Sequence, residues 1–300
     1  MKQLIALLLC GAVLLSFSAC SNAAPPTEPQ PAPTEAVTAA PTEPPATEPA
    51  FTPIVPVNNE SATFAIVGMH VTEHAGTQLQ VQCVNKTDTA LMFSWDMVSI
   101  CGYMYDPMWS VEVAAGKTAN STISLDTYTL EKMGIAAVDE ITFTMRIYNS
   151  EDWTEDPIVE EAFTVYPTGL DADTVVLPNR PVSEGQTVIV DDERIRFVIE
   201  RNDNTKPTRY GIWVYMENKT DNNLMFSWDL VSVNGKMIDP YWAMAVSAGK
   251  KACSEVSFSR TDLDSNGITD ISDVEFTLTV SDYDNWRADD LLKAVYTYKP

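Results

Sequence analysis

Apolar and polar positions alternate with a period of two over long stretches of this chain. Ile141, Phe143, Met145 and Ile147 alternate with polar residues, Val274, Phe276, Leu278 and Val280 do the same, and Ile195, Phe197 and Ile199 repeat the pattern. A period of two puts every second side chain on one face of an extended segment, so these runs predict half-buried strands. Asn234-Gly235, between Val231-Ser232-Val233 and Lys236-Met237, supplies the two residues that best tolerate positive φ and predicts a type I′ hairpin. One short helix is expected at Asp126–Gly134 and another at Ser259–Gly267, each ending on a glycine.

A shift of 133 residues lays 84–153 on 217–286 without a gap, and about 30 of those 70 positions are identical. Asn85-Lys86-Thr87-Asp88 meets Asn218-Lys219-Thr220-Asp221, and Leu91-Met92-Phe93-Ser94-Trp95-Asp96 meets Leu224-Met225-Phe226-Ser227-Trp228-Asp229. Asp106-Pro107, Trp109, Ala115-Gly116-Lys117 and Trp153 meet Asp239-Pro240, Trp242, Ala248-Gly249-Lys250 and Trp286. Cys101-Gly102 takes the place of the Asn-Gly hairpin in the first copy. A period this long marks a duplicated domain rather than a solenoid unit. About seven short strands per copy, with turn signals every 8–15 residues, predict an all-β fold of two tandem immunoglobulin-like β-sandwiches. The copies are placed at 57–168 and 183–300, with an inter-domain linker at 169–182.

The order Asn85, Asp88, Leu91, Phe93-Ser94, Val98, Gly102, Tyr105, Ala115-Gly116-Lys117, Ile123 and the Phe143–Tyr148 strand resembles the immunoglobulin-like domains of unknown function found in Gram-positive lipoproteins. The resemblance covers most of residues 60–300. It implies a sandwich with a polar loop after Asn85 and an extracellular placement, and it brings no catalytic residues.

The N-terminus supports the same compartment. Met1-Lys2 precedes an apolar run from Leu4 to Leu15, then Phe17-Ser18-Ala19-Cys20. This is the order of a secretory signal, and its apolar core is short for a membrane span of roughly 20 residues. Its ending resembles the lipobox read by bacterial lipoprotein-processing enzymes. Residues 1–19 are therefore expected to be a lipoprotein signal peptide and Cys20 the lipid attachment site, on the outer face of the bacterial cytoplasmic membrane. Residues 21–56 are nearly all Pro, Thr, Ala, Glu and Ser, a composition that cannot bury a core and favours extended polyproline II. Cys20 and this segment together, residues 20–56, read as a disordered tether.

Charge and cysteine narrow the function classes. The formal net charge is −23. Residues 57–168 carry 16 acidic against 4 basic side chains, and residues 180–300 carry 20 against 14. Such a surface repels phosphate backbones, which excludes nucleic acid as a partner. Beyond the signal and the anchor, Cys83, Cys101 and Cys253 remain. Their odd number and unlike surroundings predict three unpaired thiols.

The catalytic inventory is poor. His70 and His74 are the only histidines, both near the first strand of copy one, with no nucleophile motif beside them. Asp262, Asp264, Asn266, Asp270 and Asp273, with Gly267, match the ligand spacing of a calcium loop. Thr269 stands where a hydrophobic residue belongs, however, and the aligned Thr129–Gly134 keeps only the Leu and the Gly. The shared part reads as a short helix and its cap, so neither metal nor cofactor is assigned. The Asn-x-Thr triplets at Asn85, Asn120 and Asn218 are not taken as glycosylation sites, and those at Asn85 and Asn218 read as turn chemistry. Among the aligned tryptophans, Trp95 and Trp228 read as packing residues and Trp109 and Trp242 as covers over the hairpin. Trp153 and Trp286 close acidic loops, are expected to be exposed, and are the candidate ligand contacts, for a surface glycan or a protein. The function expected is a non-enzymatic, lipid-anchored binding or cell-envelope interaction module. The alternative is an accessory envelope lipoprotein with no ligand of its own.

Overall fold

The computed structural model describes residues 51–72, 76–178, 180 and 182–300. The signal peptide, Cys20, most of the Pro/Thr/Glu segment and His74 lie outside the described residues. The alternating segments form strands throughout. The first copy contains β1 (Ile54–Asn58), β2 (Ala62–Thr72), β3 (Gly76–Asn85), β4 (Leu91–Ile100), β5 (Tyr103–Met104), β6 (Ser110–Val113), β7 (Thr118–Leu125), α1 (Thr127–Lys132), β8 (Ile141–Asn149) and β9 (Val159–Val165). The second contains β10 (Thr187–Asp191), β11 (Ile195–Asp203), β12 (Arg209–Asn218), β13 (Leu224–Val233), β14 (Lys236–Met237), β15 (Ala243–Val246), β16 (Lys251–Ser259), α2 (Arg260–Ser265), β17 (Val274–Asp282) and β18 (Leu292–Tyr298). Every element of the first copy recurs 133 residues on, so the repeat extends well beyond its most similar stretch.

Each copy is an immunoglobulin-like sandwich. One sheet runs β1-β2-β3-β7, or β10-β11-β12-β16 in the second copy. The other is built on β4, with β8 and β9 to one side and β5 and β6 on the opposite edge; in the second copy β13 is flanked likewise by β17, β18, β14 and β15. The chain crosses between sheets after β3 and returns at β7, the Greek-key habit of such sandwiches. Each core draws on both sheets: Phe64, Leu79 and Ile123 meet Phe93, Phe143 and Ile147, and Phe197, Ile212 and Val256 meet Phe226, Phe276 and Val280.

Nine strands per copy replace the seven expected, and the reason is local. The edge partner of β4 is split into β5 and β6 because Asp106-Pro107 interrupts it, proline having no N–H to give the ladder. Strand β1 starts at Ile54, inside the segment whose composition reads as tether, and Phe51 and Ile54 pack on the first core.

Local chemistry sets the turns. Asn234 and Gly235 have φ of 51° and 75°, and Cys101 and Gly102 have 46° and 82°, as a type I′ hairpin requires. Asp126 caps α1 by accepting from the Thr129 N–H at 2.8 Å, and Gly134 and Gly267 follow the helices at positive φ. The Asn85 amide, 1% exposed, donates to the carbonyls of Thr89 and Val113, while its oxygen accepts from the Thr87 N–H and hydroxyl. Asn218 makes the same four bonds with Asn222, Val246 and Thr220. Asn85 and Asn218 are thus fully committed to their loops.

Both sandwiches belong to one compact unit, residues 49–300. They join where β5 of the first pairs in parallel with β16 of the second, Tyr103 opposite Lys251, which fuses two sheets into one of nine strands. The Lys251 N–H donates to the Gly102 carbonyl at 3.0 Å, the Ser247 N–H points at the Met104 sulfur at 3.5 Å, and Lys250 pairs with Glu140 at 3.4 Å. Met104 is buried in the second core, and Val198 and Tyr215 are buried against the first. Leu177 packs over Gly102, and the Arg180 guanidinium lies 3.8 Å from the Tyr215 ring centroid while pairing with Glu200.

Candidate functional site

Three surface features combine exposure with a fixed backbone. The first is the loop after β8 and its counterpart after β17. Trp153 and Trp286 are 78% and 80% exposed, although an indole left in water forgoes about 2–3 kcal/mol of burial. Both loops are tied down. Asp152 accepts from the Thr154 N–H and hydroxyl, and those bonds hold its carboxyl below the ordinary carboxylate range. Asp282 accepts from the N–H groups of Asp284 and Asn285, both at 2.9 Å. The loops differ in one respect: Arg287 lies 4.8 Å over the Trp286 ring, whereas Thr154 follows Trp153.

The second feature is the Asp-Pro-x-Trp turn. Met108 and Tyr241 are 89% and 92% exposed and sit at φ of 49° and 50°, a region that non-glycine residues rarely occupy. The conformation is fixed by the preceding aspartate, since Asp106 and Asp239 each accept from the N–H two residues on, at 2.7 Å. Sequence reasoning missed these two residues. The usable signal was the repeated Asp-Pro-x-Trp frame with a large apolar side chain at x in both copies.

The third is a cleft of about 300 Å³ between the sandwiches, lined by Trp95, Met97, Met104, Tyr105, Met244 and Tyr283 among others. Met97 reaches it because β4 is bulged there: the register slips between Asp96 and Ser99, and Met97 takes φ of 47°. Burial, with help from Asp96 and Asp284, pushes the Tyr283 phenol above its ordinary value. The cleft therefore offers apolar and aromatic walls, with the Tyr283 phenol and the Asp96 and Asp106 carboxylates also in its lining.

The other tryptophans pack. Trp95 stacks on Phe143 with centroids 4.2 Å apart, and Trp228 on Phe276 at 3.8 Å. Trp109 and Trp242 are buried and donate to Ser121 and Ser254. The three thiols are unpaired. Burial pushes Cys83 up to about 12 and Cys253 up to about 11, so neither supplies a thiolate near neutrality. His70 is exposed on β2. Asp262 and Asp264 lie two residues apart on α2, which turns their side chains to different sides of the helix, where a calcium loop would converge them. No group of three or more His, Cys, Asp or Glu gathers to hold a metal among the described residues.

No family model and no curated protein matches the chain. Among solved structures it is similar to the Salmonella enterica SafA pilin in complex with the SafB chaperone, at 11% identity over 81% of this chain and 98% of that chain, with a TM-score of 0.22. A superposition that loose carries no argument about function.

Proposed function

We propose that the protein is a non-enzymatic surface module that binds a ligand through its exposed aromatic loops. In this reading Cys20 carries the lipid, the Pro/Thr/Glu segment is the tether, and the sandwiches are held outside the cytoplasmic membrane. The observation that carries the proposal is the pairing of exposed Trp153 with Trp286 at equivalent positions of two loops. Each loop is stiffened by hydrogen bonds to its own aspartates. A flat, rigid, half-amphipathic ring on an ordered loop loses little entropy on stacking against a sugar face or a protein side chain.

The test is a glycan and host-protein array probed with the full chain and with Trp153→Ala, Trp286→Ala and the double variant. Removing an aromatic anchor costs about 2 kcal/mol, or about 30-fold in affinity. The expected result is binding that falls by about that factor in the single variants and disappears in the double, with unfolding midpoints unchanged. Binding that survives the double variant, or no binding by the unaltered chain, overturns the proposal.

A further inference from the structure

The joint between the sandwiches uses a plug and a socket, and the chain carries a second, unused set of each. The plug is the β4–β5 hairpin with the Met97 bulge; the socket is the outer edge of β16 with the turn before it. In the second sandwich the equivalent plug is β13–β14, and among the described residues β14 ends its sheet with no strand on its far side. In the first sandwich the equivalent socket is β7, which also ends its sheet. Exposure follows occupancy. Met104 is 4% exposed at the joint, whereas its counterpart Met237 is 64% exposed. Leu230, the counterpart of Met97, repeats the bulge at φ of 49° and is 73% exposed. On the socket side Ser247, Lys250, Lys251 and Cys253 are half-buried, while Ala114, Lys117, Thr118 and Asn120 are exposed.

We propose that the free plug of one molecule docks on the free socket of a second copy, head to tail. This goes beyond the ligand-binding reading and does not depend on it. Three elements of the internal joint are present at the free ends. Gly235 presents the carbonyl that Gly102 offers, and Thr118 stands where Lys251 donates. Met237 and Ala114 replace Met104 and Ser247, keeping the thioether and a backbone N–H. Asp273 and Lys117 replace Glu140 and Lys250, so the cross-joint ion pair keeps its sign. The aromatic part is not repeated: Lys236 and Gln82 stand in place of Tyr103 and Tyr215. The contact between molecules is accordingly weaker than the internal one and reversible, formed where copies are crowded. Plug and socket are different surfaces, so the contact is heterologous and leaves an open end after each addition, which builds chains.

Disulfide trapping in whole cells expressing the full chain tests this. Thr118 and Lys236 are the counterparts of the paired Lys251 and Tyr103. Cells co-expressing a Thr118→Cys chain and a Lys236→Cys chain should give a cross-linked dimer on mild oxidation, and one chain bearing both substitutions should give a ladder. Lys117→Glu should lower the mixed cross-link by about fivefold, the effect of an exposed charge pair, and adding Asp273→Lys on the partner chain should restore it. Thr118, Lys117 and Lys236 are exposed, and Asp273 is half-buried, so the unfolding midpoint of the Asp273→Lys chain is compared with that of the unaltered chain. The proposal falls if the mixed pair cross-links no better than the unaltered chain, if Thr118→Cys pairs best with itself, or if charge reversal leaves the yield unchanged.

Discussion

Replacing Asn218 with alanine should destabilise the second sandwich severely, and the size of the effect follows from four bonds. The Asn218 amide donates to the carbonyls of Asn222 at 2.7 Å and Val246 at 2.9 Å, and its oxygen accepts from the Thr220 N–H at 3.0 Å and hydroxyl at 2.7 Å. The side chain is 1% exposed, so water cannot take over those contacts without opening the loop. At a net value near 1 kcal/mol for each bond, the loss approaches about 4 kcal/mol. With Asn218 gone, the Thr220 hydroxyl proton is free to turn to the Asn222 carbonyl 3.2 Å away, which brings the expected loss to about 3 kcal/mol. With a urea slope of roughly 2 kcal/mol per molar, the midpoint should fall by about 1.5 M. The same calculation holds for Asn85→Ala in the first sandwich, whose four distances run from 2.7 to 2.9 Å. Urea titration followed by tryptophan fluorescence measures both, since each sandwich has its own stacked Trp–Phe pair. A midpoint shift below about 0.5 M in both variants would refute the view that these asparagines, rather than the flanking apolar strands, hold the loops in register.

Two further outcomes follow from buried groups. Cys83 has an ordinary thiol value of 9.0 that burial raises to about 12, and Tyr103 rises from 10.0 to about 12 for the same leading reason. A raised acid keeps its proton in the folded state while the unfolded chain gives it up. Stability is therefore unaffected below about pH 9 and declines from pH 9 to 12. A melting temperature that stays flat across that window in calorimetry would contradict the burial of both groups. At the joint, Met104→Asp places a carboxylate among residues of the second core, where the thioether contributed about 1.5–3 kcal/mol. Limited proteolysis should then cut within 169–182 several-fold faster, and unchanged cleavage would mean that the joint does not depend on that side chain.

Much of this fold was legible because its instructions are local. The alternation at Ile141–Ile147 and Val274–Val280 became β8 and β17, Asn234-Gly235 became the hairpin, and Asp126 and Gly134 bracket α1. The joint was not legible in the same way, because Tyr103 and Lys251 are far apart in sequence and each sits in an ordinary strand. Its trace lies in the outward positions. Strand β3 presents Gln78, Gln80 and Gln82 between its buried residues, whereas β12 presents Gly211, Trp213 and Tyr215 at the same places. Strand β12 is buried at most of its length, Tyr215 against the first core and Gly211 beneath Glu255 of its own sheet, while β3 alternates. A comparison of the copies at solvent-facing positions alone would have marked the second sandwich as the one that is covered. The exposed Trp153 and Trp286 were readable from their acidic loops, whereas Met108 and Tyr241 leave a trace only in the repeated Asp-Pro-x-Trp frame, because residue type alone does not announce a side chain held outward at positive φ.

The duplication has therefore kept its interior and changed its outside, and that division bears on how the aromatic loops can act. Two sites on a flexible linker sample many separations, and the second binding event gains only the effective concentration that the linker allows. Here the linker at 169–182 is not the main determinant, since the sandwiches are joined by the β5–β16 ladder, the Lys250–Glu140 pair and a shared apolar contact at Met104. The separation of Trp153 and Trp286 is set by packing. A ligand that spans both loops must match that separation, and one that does not match gains nothing from the duplication. Opening the joint with Met104→Asp should then leave the affinity of each single loop intact while abolishing the advantage of a two-site ligand. If the advantage survived, the two loops would be acting independently, and the joint would serve some purpose other than presenting them together.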